Sequence, residues 1–248
     1  MQSNGGAVPL EAARRRTVNM FVSGPAAAVT AAAEIAISSK TPNVISVDVG
    51  GTSCDVCLIA NGKPGTTVKG SAEFSVDGLP LNVIMTDIVT IGAGGGSIAR
   101  LDAGGMLKVG PQSAGADPGP ACYDRGGHSF TLTDAMLLLG LLDPAKALPG
   151  NISLRPALSQ NAAAPLCASL DLTPDALAER VYRIVVANMA QALRRVSVNR
   201  GHDPRSFTLL ACGGAGPLVA VALAAEIGMD NILIPPHPGI FSAYGLAI

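Results

Sequence analysis

The chain has 248 residues, a net charge of −1, 14% charged and 3% aromatic residues, and no Trp. This balance excludes the electrostatic footprint of a nucleic-acid or anionic-membrane binder and leaves base- or sugar-stacking surfaces poorly supplied. The length suits one α/β domain with a large core, and 29 glycines suit close approach of backbone to a ligand.

Met1–Glu11 lacks the apolar core of a signal peptide. Ser23-Gly24-Pro25 opens an Ala-rich helix to about Ser38, with Ser23 as N-cap and Pro25 in the first turn. Val44-Ile45-Ser46-Val47-Asp48 reads as a buried strand, Gly50-Gly51-Thr52 as a turn, and a second strand runs to Ile59 before the hairpin signal Asn61-Gly62. The glycine-rich stretch from Asp87 to Gly127 is expected to be dominated by loops. Thr133 is the expected cap of a short helix through Leu141.

Thr173-Pro174 starts the clearest helix, with Leu177, Val181, Ile184, Val185, Met189, Ala192, Leu193 and Val196 on one buried face. Arg194, Arg195 and Arg200 complement the negative end of its dipole, and Gly201 is the expected C-cap. The arginines fit a phosphate site less well than a solvated helix end. A strand through Leu210, a glycine turn, a helix from Pro217 to Ile227 and a strand at Ile232-Leu233-Ile234 complete a β-α-β unit. The glycine turn also divides the apolar run Ser206–Ala225, which argues against a membrane span of about 20 residues. Residues 1–248 thus read as a single domain without linker or repeat.

Four segments can carry chemistry. In Asp48-Val49-Gly50-Gly51-Thr52, glycines let backbone N–H groups reach phosphate oxygens, Thr52 adds a hydroxyl, and a strand-end carboxylate can hold magnesium through water. A plain hairpin is the alternative. Gly213-Gly214-Ala215-Gly216 at a helix start suits an anion or the face of a nucleotide, or merely permits a tight turn. Its spacing does not fit the dinucleotide fingerprint. Gly92–Ser97, including Gly94 and Gly95, either lines a nucleotide cleft or is only a hairpin, and no Gly-Lys-Ser/Thr follows it. Asp117, among prolines and glycines, acts on substrate or metal, or caps its own turn. Cys54 and Cys57 form a CxxC pair, but residues three apart on a strand face opposite ways, so a shared metal is not expected. His128, His202 and His237 lack metal-ligand spacing.

These segments, in this order, resemble the hydantoinase A/5-oxoprolinase/acetone carboxylase family. The resemblance runs through SGPAAAV from Ser23, DVGGTSCDV from Asp48, TIGAGGGSIARLDAGG from Thr90, VGPQSAGADPGPACYDRGG from Val109, TLTDAMLLLG from Thr131, RGHDPRSFTLLACGGAGPL from Arg200 and PPHPGIFSAYGL from Pro235. It implies the second lobe of an actin-like, ribonuclease H-like ATPase, α/β with a mixed sheet flanked by helices, binding ATP and Mg²⁺ between lobes. Gly50, Gly51 and Thr52 then resemble the second phosphate loop, and Gly213, Gly214, Ala215 and Gly216 the adenosine motif. Asp48 would serve magnesium and, with Asp117, catalysis.

The resemblance also implies a first lobe preceding Met1 and a continuation past Ile248, so that this chain forms at most half of an ATP site and is inactive alone. A B-type hydantoinase subunit or domain, a small cyclic amide and a cytoplasmic location are expected, with no nucleic-acid or membrane partner. The implied activity is ATP-dependent cyclic amide hydrolysis, with ketone carboxylation or a non-catalytic lone lobe as alternatives. Cys54 and Cys212 depart from the family's commoner hydroxyl and aromatic residues.

Overall fold

The computed structural model describes residues 1–69, 75, 76, 79, 80 and 83–248. A short helix, Leu10–Arg15 (α1), precedes the Ala-rich helix Ser23–Ser38 (α2). Ser23 lies inside the first turn and Val22 takes the cap position, without a side-chain cap. The earlier start is possible because Pro25 still falls among the first residues, whose N–H groups need no partner within the helix. The Val22 N–H donates instead to the Ser3 hydroxyl at 3.3 Å.

Val44–Val49 (β1) and Cys54–Ala60 (β2) form an antiparallel hairpin that places Asp48 opposite Asp55. Asn61 and Gly62, at φ 52° and 71°, turn the chain straight into Lys63–Pro64 (β3), as Asn-Gly predicts. Thr66–Lys69 (β4), Ser75–Val76 (β5), Leu79–Pro80 (β6) and Val83–Thr86 (β7) make two small antiparallel pairs, β4 with β7 and β5 with β6. Val89–Ile91 (β8) joins the free side of β2.

The stretch expected to be loops contains, besides β8, an antiparallel hairpin of Ser97–Leu101 (β9) and Leu107–Ser113 (β10). Its glycines punctuate the strands rather than dissolve them. Gly92–Gly96 precede β9, Gly104 and Gly105 lie between β9 and β10, and Gly110 lies where the register shifts.

Leu132–Leu138 (α3) begins at a capping box in which the Thr131 hydroxyl meets the Asp134 N–H and the Asp134 carboxylate meets the Thr131 N–H. Thr133, the expected cap, spends its hydroxyl elsewhere, on the Gly95 carbonyl at 2.8 Å. Pro156–Leu170 (α4) carries Pro165 in its interior. Pro174–Val196 (α5) starts as expected, the Thr173 hydroxyl accepting from the Ala176 N–H at 3.2 Å. It ends sooner than Gly201 implied: Ser197 caps it, and Gly201 at φ 81° closes the following 3₁₀ turn, Val198–Arg200.

Thr208–Cys212 (β11), Gly216–Ile227 (α6) and Ile232–Leu233 (β12) form the β-α-β unit, and Phe241–Ala247 (α7) follows. The sheet order is β12-β11-β1-β2-β3, with β8 also on β2. Strands β1, β11 and β12 run parallel while β2 opposes them, so the sheet is mixed, as expected, and helices flank it. Ile45, Val47, Cys54, Val56, Leu209 and Ala211 face the core under α3, α5 and α6. Val44, Cys57, Ile59, Leu210 and Cys212 face the core under α2 and Phe241 of α7. All but one of the residues named for the buried face of α5 are indeed buried, Ile184 being half-buried. Among the described residues, no helix is long and apolar enough to cross a membrane.

Candidate functional site

The β1–β2 turn is held from behind. Gly50 N–H donates to the Ser53 carbonyl at 3.0 Å and closes the turn. The carbonyls of Gly50 and Gly51 accept from Gly95 N–H at 3.0 Å and Gly96 N–H at 2.6 Å. A Cβ on Gly94 would stand 2.7 Å from the Gly50 oxygen and 2.8 Å from backbone atoms of Gly51 and Thr52. Gly94 therefore buttresses the turn from a buried position, whereas Gly95 and Gly96 reach the cleft described below. With the carbonyls engaged, Gly51 and Thr52 are exposed, and their N–H groups make no hydrogen bond to any described residue. Exposed, fixed and unspent donors suit an anion.

The second glycine turn is tied to the end of β1. Ala215 N–H donates to the Val49 carbonyl at 2.9 Å, and Gly213 N–H to the Pro238 carbonyl at 2.8 Å. Gly213 takes φ 81°, and a Cβ there would collide with the Asp48 carboxylate and the Val49 carbonyl. Gly213 and Gly216 are buried in the turn, while Gly214 is exposed. A third element closes the site: Thr133 N–H and hydroxyl both reach the Gly95 carbonyl at 2.8 Å.

Gly50, Gly51, Thr52, Gly214 and Ala215 line one cavity of about 460 Å³ together with Gly95, Gly96 and Thr133. Its other wall is apolar, with Tyr123, Met136, Leu142, Leu148, Ile152 and Leu218. This is the cleft where the β1–β2 turn and the second glycine turn meet. A larger groove, about 700 Å³, runs between α5 and β10, but neither turn reaches it.

Asp48 does not line the cleft. It sits half-buried at the end of β1, on the sheet face toward α2, beside Asp55 on β2 and in register with Cys212 on β11. Burial, and next the charge of Asp55, pushes its carboxyl up to about 6. Asp55 is raised by burial and partly restored by the Thr90 hydroxyl, which donates to it at 2.5 Å. Two facing carboxylates and a hydroxyl form an oxygen-only set, the donor type a hard divalent cation takes. Among the described residues no group of three or more His, Cys, Asp or Glu is placed to hold a metal. The pair therefore fits magnesium held by one or two carboxylates with phosphate and water supplying the rest, rather than a protein cage.

Asp117 is exposed beside Ala116 and Gly115 at the cleft rim, and its carboxylate makes no hydrogen bond to a described residue, so it does not cap its own turn. Cys54 and Cys57 pack into different cores on opposite faces of the sheet, as the strand reading requires. Burial pushes the Cys57 thiol up to about 12 and raises Cys54 further. The three histidines are exposed. The arginines do not converge: Arg194 meets Glu226, Arg200 pairs with Asp87, and Arg195 faces the separate α5–β10 groove.

Thr133, Tyr123 and the apolar wall are cleft residues that sequence reasoning missed. The capping box in TLTD involves Thr131 and Asp134 and does not mark Thr133, and nothing local marks Leu142, Leu148 or Ile152.

Comparison with known proteins gives the family. The chain is 42% identical over 245 residues to caprolactamase subunit alpha of Pseudomonas jessenii, covering 98% of this chain and 35% of that protein. It is 36% identical over 249 residues to the acetophenone carboxylase gamma subunit of Aromatoleum aromaticum, covering 99% of this chain and 33% of that protein. A nucleotide-free structure of acetone carboxylase, from work on ATP-dependent acetone carboxylation, superposes with a TM-score of 0.88 at 29% identity. That match covers 100% of this chain and 34% of the other. The chain thus spans about a third of the length of these relatives. A family model described as hydantoinase/oxoprolinase matches residues 1–248, and the chain belongs to the hydantoinase/oxoprolinase family.

Proposed function

We propose that this domain is the second lobe of an ATP site, in an enzyme that spends ATP to open a small cyclic amide. The observation that carries the reading is one cleft lined by Gly51 and Thr52, whose N–H groups make no hydrogen bond to a described residue, by the exposed Gly214 and by an apolar wall. Polyphosphate matches the donors and an adenosine matches the wall. Asp48 and Asp55 lie at the end of the same hairpin, and magnesium bound there would offset phosphate charge. Amide resonance makes direct hydrolysis slow. Transfer of the γ-phosphoryl group to the amide oxygen, releasing ADP, leaves a carbon open to water, and phosphate then departs. In that scheme the residues of this chain bind and orient the polyphosphate and shield it from water. Asp117, at the rim, would contact substrate.

Caprolactamase, a lactam-opening enzyme by its name, supports the amide reading. The likeness to acetone carboxylase supports a second one, in which the phosphorylated partner joins a carbonate to a ketone. Both use the same cleft. A first lobe and a B-type subunit complete either enzyme in this proposal, and the domain alone is inactive.

The test is a titration of this chain with Mg²⁺ and ATP, followed by NMR of backbone amides. Shifts concentrated at Gly51, Thr52, Gly95 and Gly214 are expected; shifts confined to the α5–β10 groove would overturn the assignment. Phosphate release by the chain alone, with 5-oxoproline or hydantoin, should stay at background. Turnover matching a full-length relative would contradict the half-site reading.

A further inference from the structure

The buried carboxylate of Asp134 is not needed for any step above, yet it accepts more hydrogen bonds than any other carboxylate among the described residues. It is 0% exposed and accepts five hydrogen bonds. They come from Ala121 N–H at 3.3 Å, Cys122 N–H at 2.8 Å, Thr131 N–H at 2.9 Å, the Thr131 hydroxyl at 2.7 Å and the Ser159 hydroxyl at 2.8 Å. No Lys or Arg pairs with it among the described residues. Burying an unpaired carboxylate is costly unless every lone pair is met, so such a site stays only where its partners are held rigidly. Capping α3 explains the bonds from Thr131 and no more.

The remaining donors point to a task at the cleft. Ala121 and Cys122 follow Pro120 and precede Tyr123, and Pro120 and Tyr123 both line the cleft. The residue before Asp134 is Thr133, whose N–H and hydroxyl hold Gly95 behind the phosphate-type turn. One carboxylate therefore fixes two walls together: the Pro120–Tyr123 segment and, through the first turn of α3, the backing of Gly50–Thr52.

We propose that Asp134 is a positioning residue for the nucleotide cleft, setting the spacing between the Tyr123 wall and the glycine turn. This rests on the nucleotide reading above. All five partners act as donors, so an acceptor-only group is required. Asparagine has the same shape but turns one acceptor into an NH₂ donor. Its oxygen is best used on the side of Thr131 and Ala121, where three donors converge on one oxygen. Its NH₂ then faces Cys122 N–H, which cannot reverse, and the Ser159 hydroxyl, which can. Asp134→Asn thus keeps the cap and releases the Cys122 wall. Ser159→Ala removes a donor on the α4 side and leaves the wall bonded.

The experiment measures Mg·ATP affinity of the intact chain, wild type and both variants, by the same amide shifts, well below each melting temperature. Asp134→Asn is expected to weaken binding about tenfold, while Ser159→Ala melts earlier but binds within about twofold of wild type. Binding by Asp134→Asn at wild-type strength overturns the proposal, as does a loss in both variants that tracks their stability. Hydrogen exchange in the wild-type chain gives an arm that no misfolded variant can spoil. By reciprocity, Mg·ATP must slow exchange at the Cys122 amide more than at amides of α2. Equal slowing sinks the positioning role. If wild type shows no ATP-dependent shift at all, the nucleotide reading fails and takes this role with it, a result distinct from normal binding by Asp134→Asn.

Discussion

Replacing Gly94 by Ala tests whether the glycine loop is a buttress. The new methyl would lie 2.7 Å from the Gly50 oxygen and 2.8 Å from both the Gly51 carbon and the Thr52 nitrogen. Real Cβ atoms do not come so near, and all three neighbours are backbone, so no side chain can swing aside. The turn and the loop must separate by several tenths of an ångström, which strains the Gly95 and Gly96 hydrogen bonds to it. Overpacking of this kind costs about 1–3 kcal/mol. Loss of glycine's unfolded-state freedom returns about 0.4–1 kcal/mol. A net loss of about 1–2 kcal/mol remains, or a fall of about 2–8 °C in Tm for a domain of this size.

Gly51→Ala is the control, because a Cβ there meets nothing within 4 Å. Its stability should change by no more than about 0.5 kcal/mol. Both variants should bind Mg·ATP more weakly, Gly94→Ala through a displaced turn and Gly51→Ala through a methyl standing over the free N–H groups. Urea melts and the amide titration measure the two effects separately. A Gly94→Ala protein as stable as wild type, or a Gly51→Ala protein as damaged as Gly94→Ala, would falsify the account of which glycine supports and which contacts.

Other outcomes follow from single features. Because burial and Asp55 raise Asp48 from 3.8 to about 6, the native state holds a proton that the unfolded chain releases first. That stabilisation is complete below the unfolded value and is lost as pH rises through the folded one. Wild-type Tm should therefore decline more between pH 4 and pH 7 than that of Asp48→Asn, and equal slopes would refute the burial argument. Cys54, Cys57, Cys122 and Cys212 are buried with raised thiols, whereas Cys167 is half-buried. A thiol reagent at pH 8 should label Cys167 first, and rapid labelling of Cys54 or stoichiometric zinc in the protein would contradict the strand placement. Pro165 is exposed inside α4, where proline forfeits a helix hydrogen bond. Pro165→Ala should raise stability by about 1 kcal/mol or more, read from the urea midpoint, and a loss would mean that the proline's packing matters.

Local rules were enough for the elements whose residues need only their neighbours. The apolar run Val44–Val47 marked β1 as a buried strand, and the alternation of side chains along β2 placed Cys54 and Cys57 on opposite faces. Asn61-Gly62 specified its hairpin because both residues tolerate positive φ, and Thr173-Pro174 specified a helix start because cap and proline satisfy the same orphan N–H groups. The order of the glycine motifs was sufficient to indicate the family and the sheet that goes with it.

What the sequence left open depended on residues far apart along the chain. Gly94, Gly95 and Gly96 look alike in a string, and only the β1–β2 turn packed against them separates the buried buttress from the two that reach the cleft. Thr133 read as a cap until Gly95, 38 residues away, claimed its hydroxyl. The β9–β10 hairpin and α4 run against glycine and proline penalties that tertiary packing outweighs. The sequence reading did not single out Asp134: besides the capping box with Thr131, two of its five donors come from a 3₁₀ turn 12 and 13 residues earlier and one from a helix 25 residues later. A carboxylate's partners are chosen by where the chain returns, and no local pattern encodes that return.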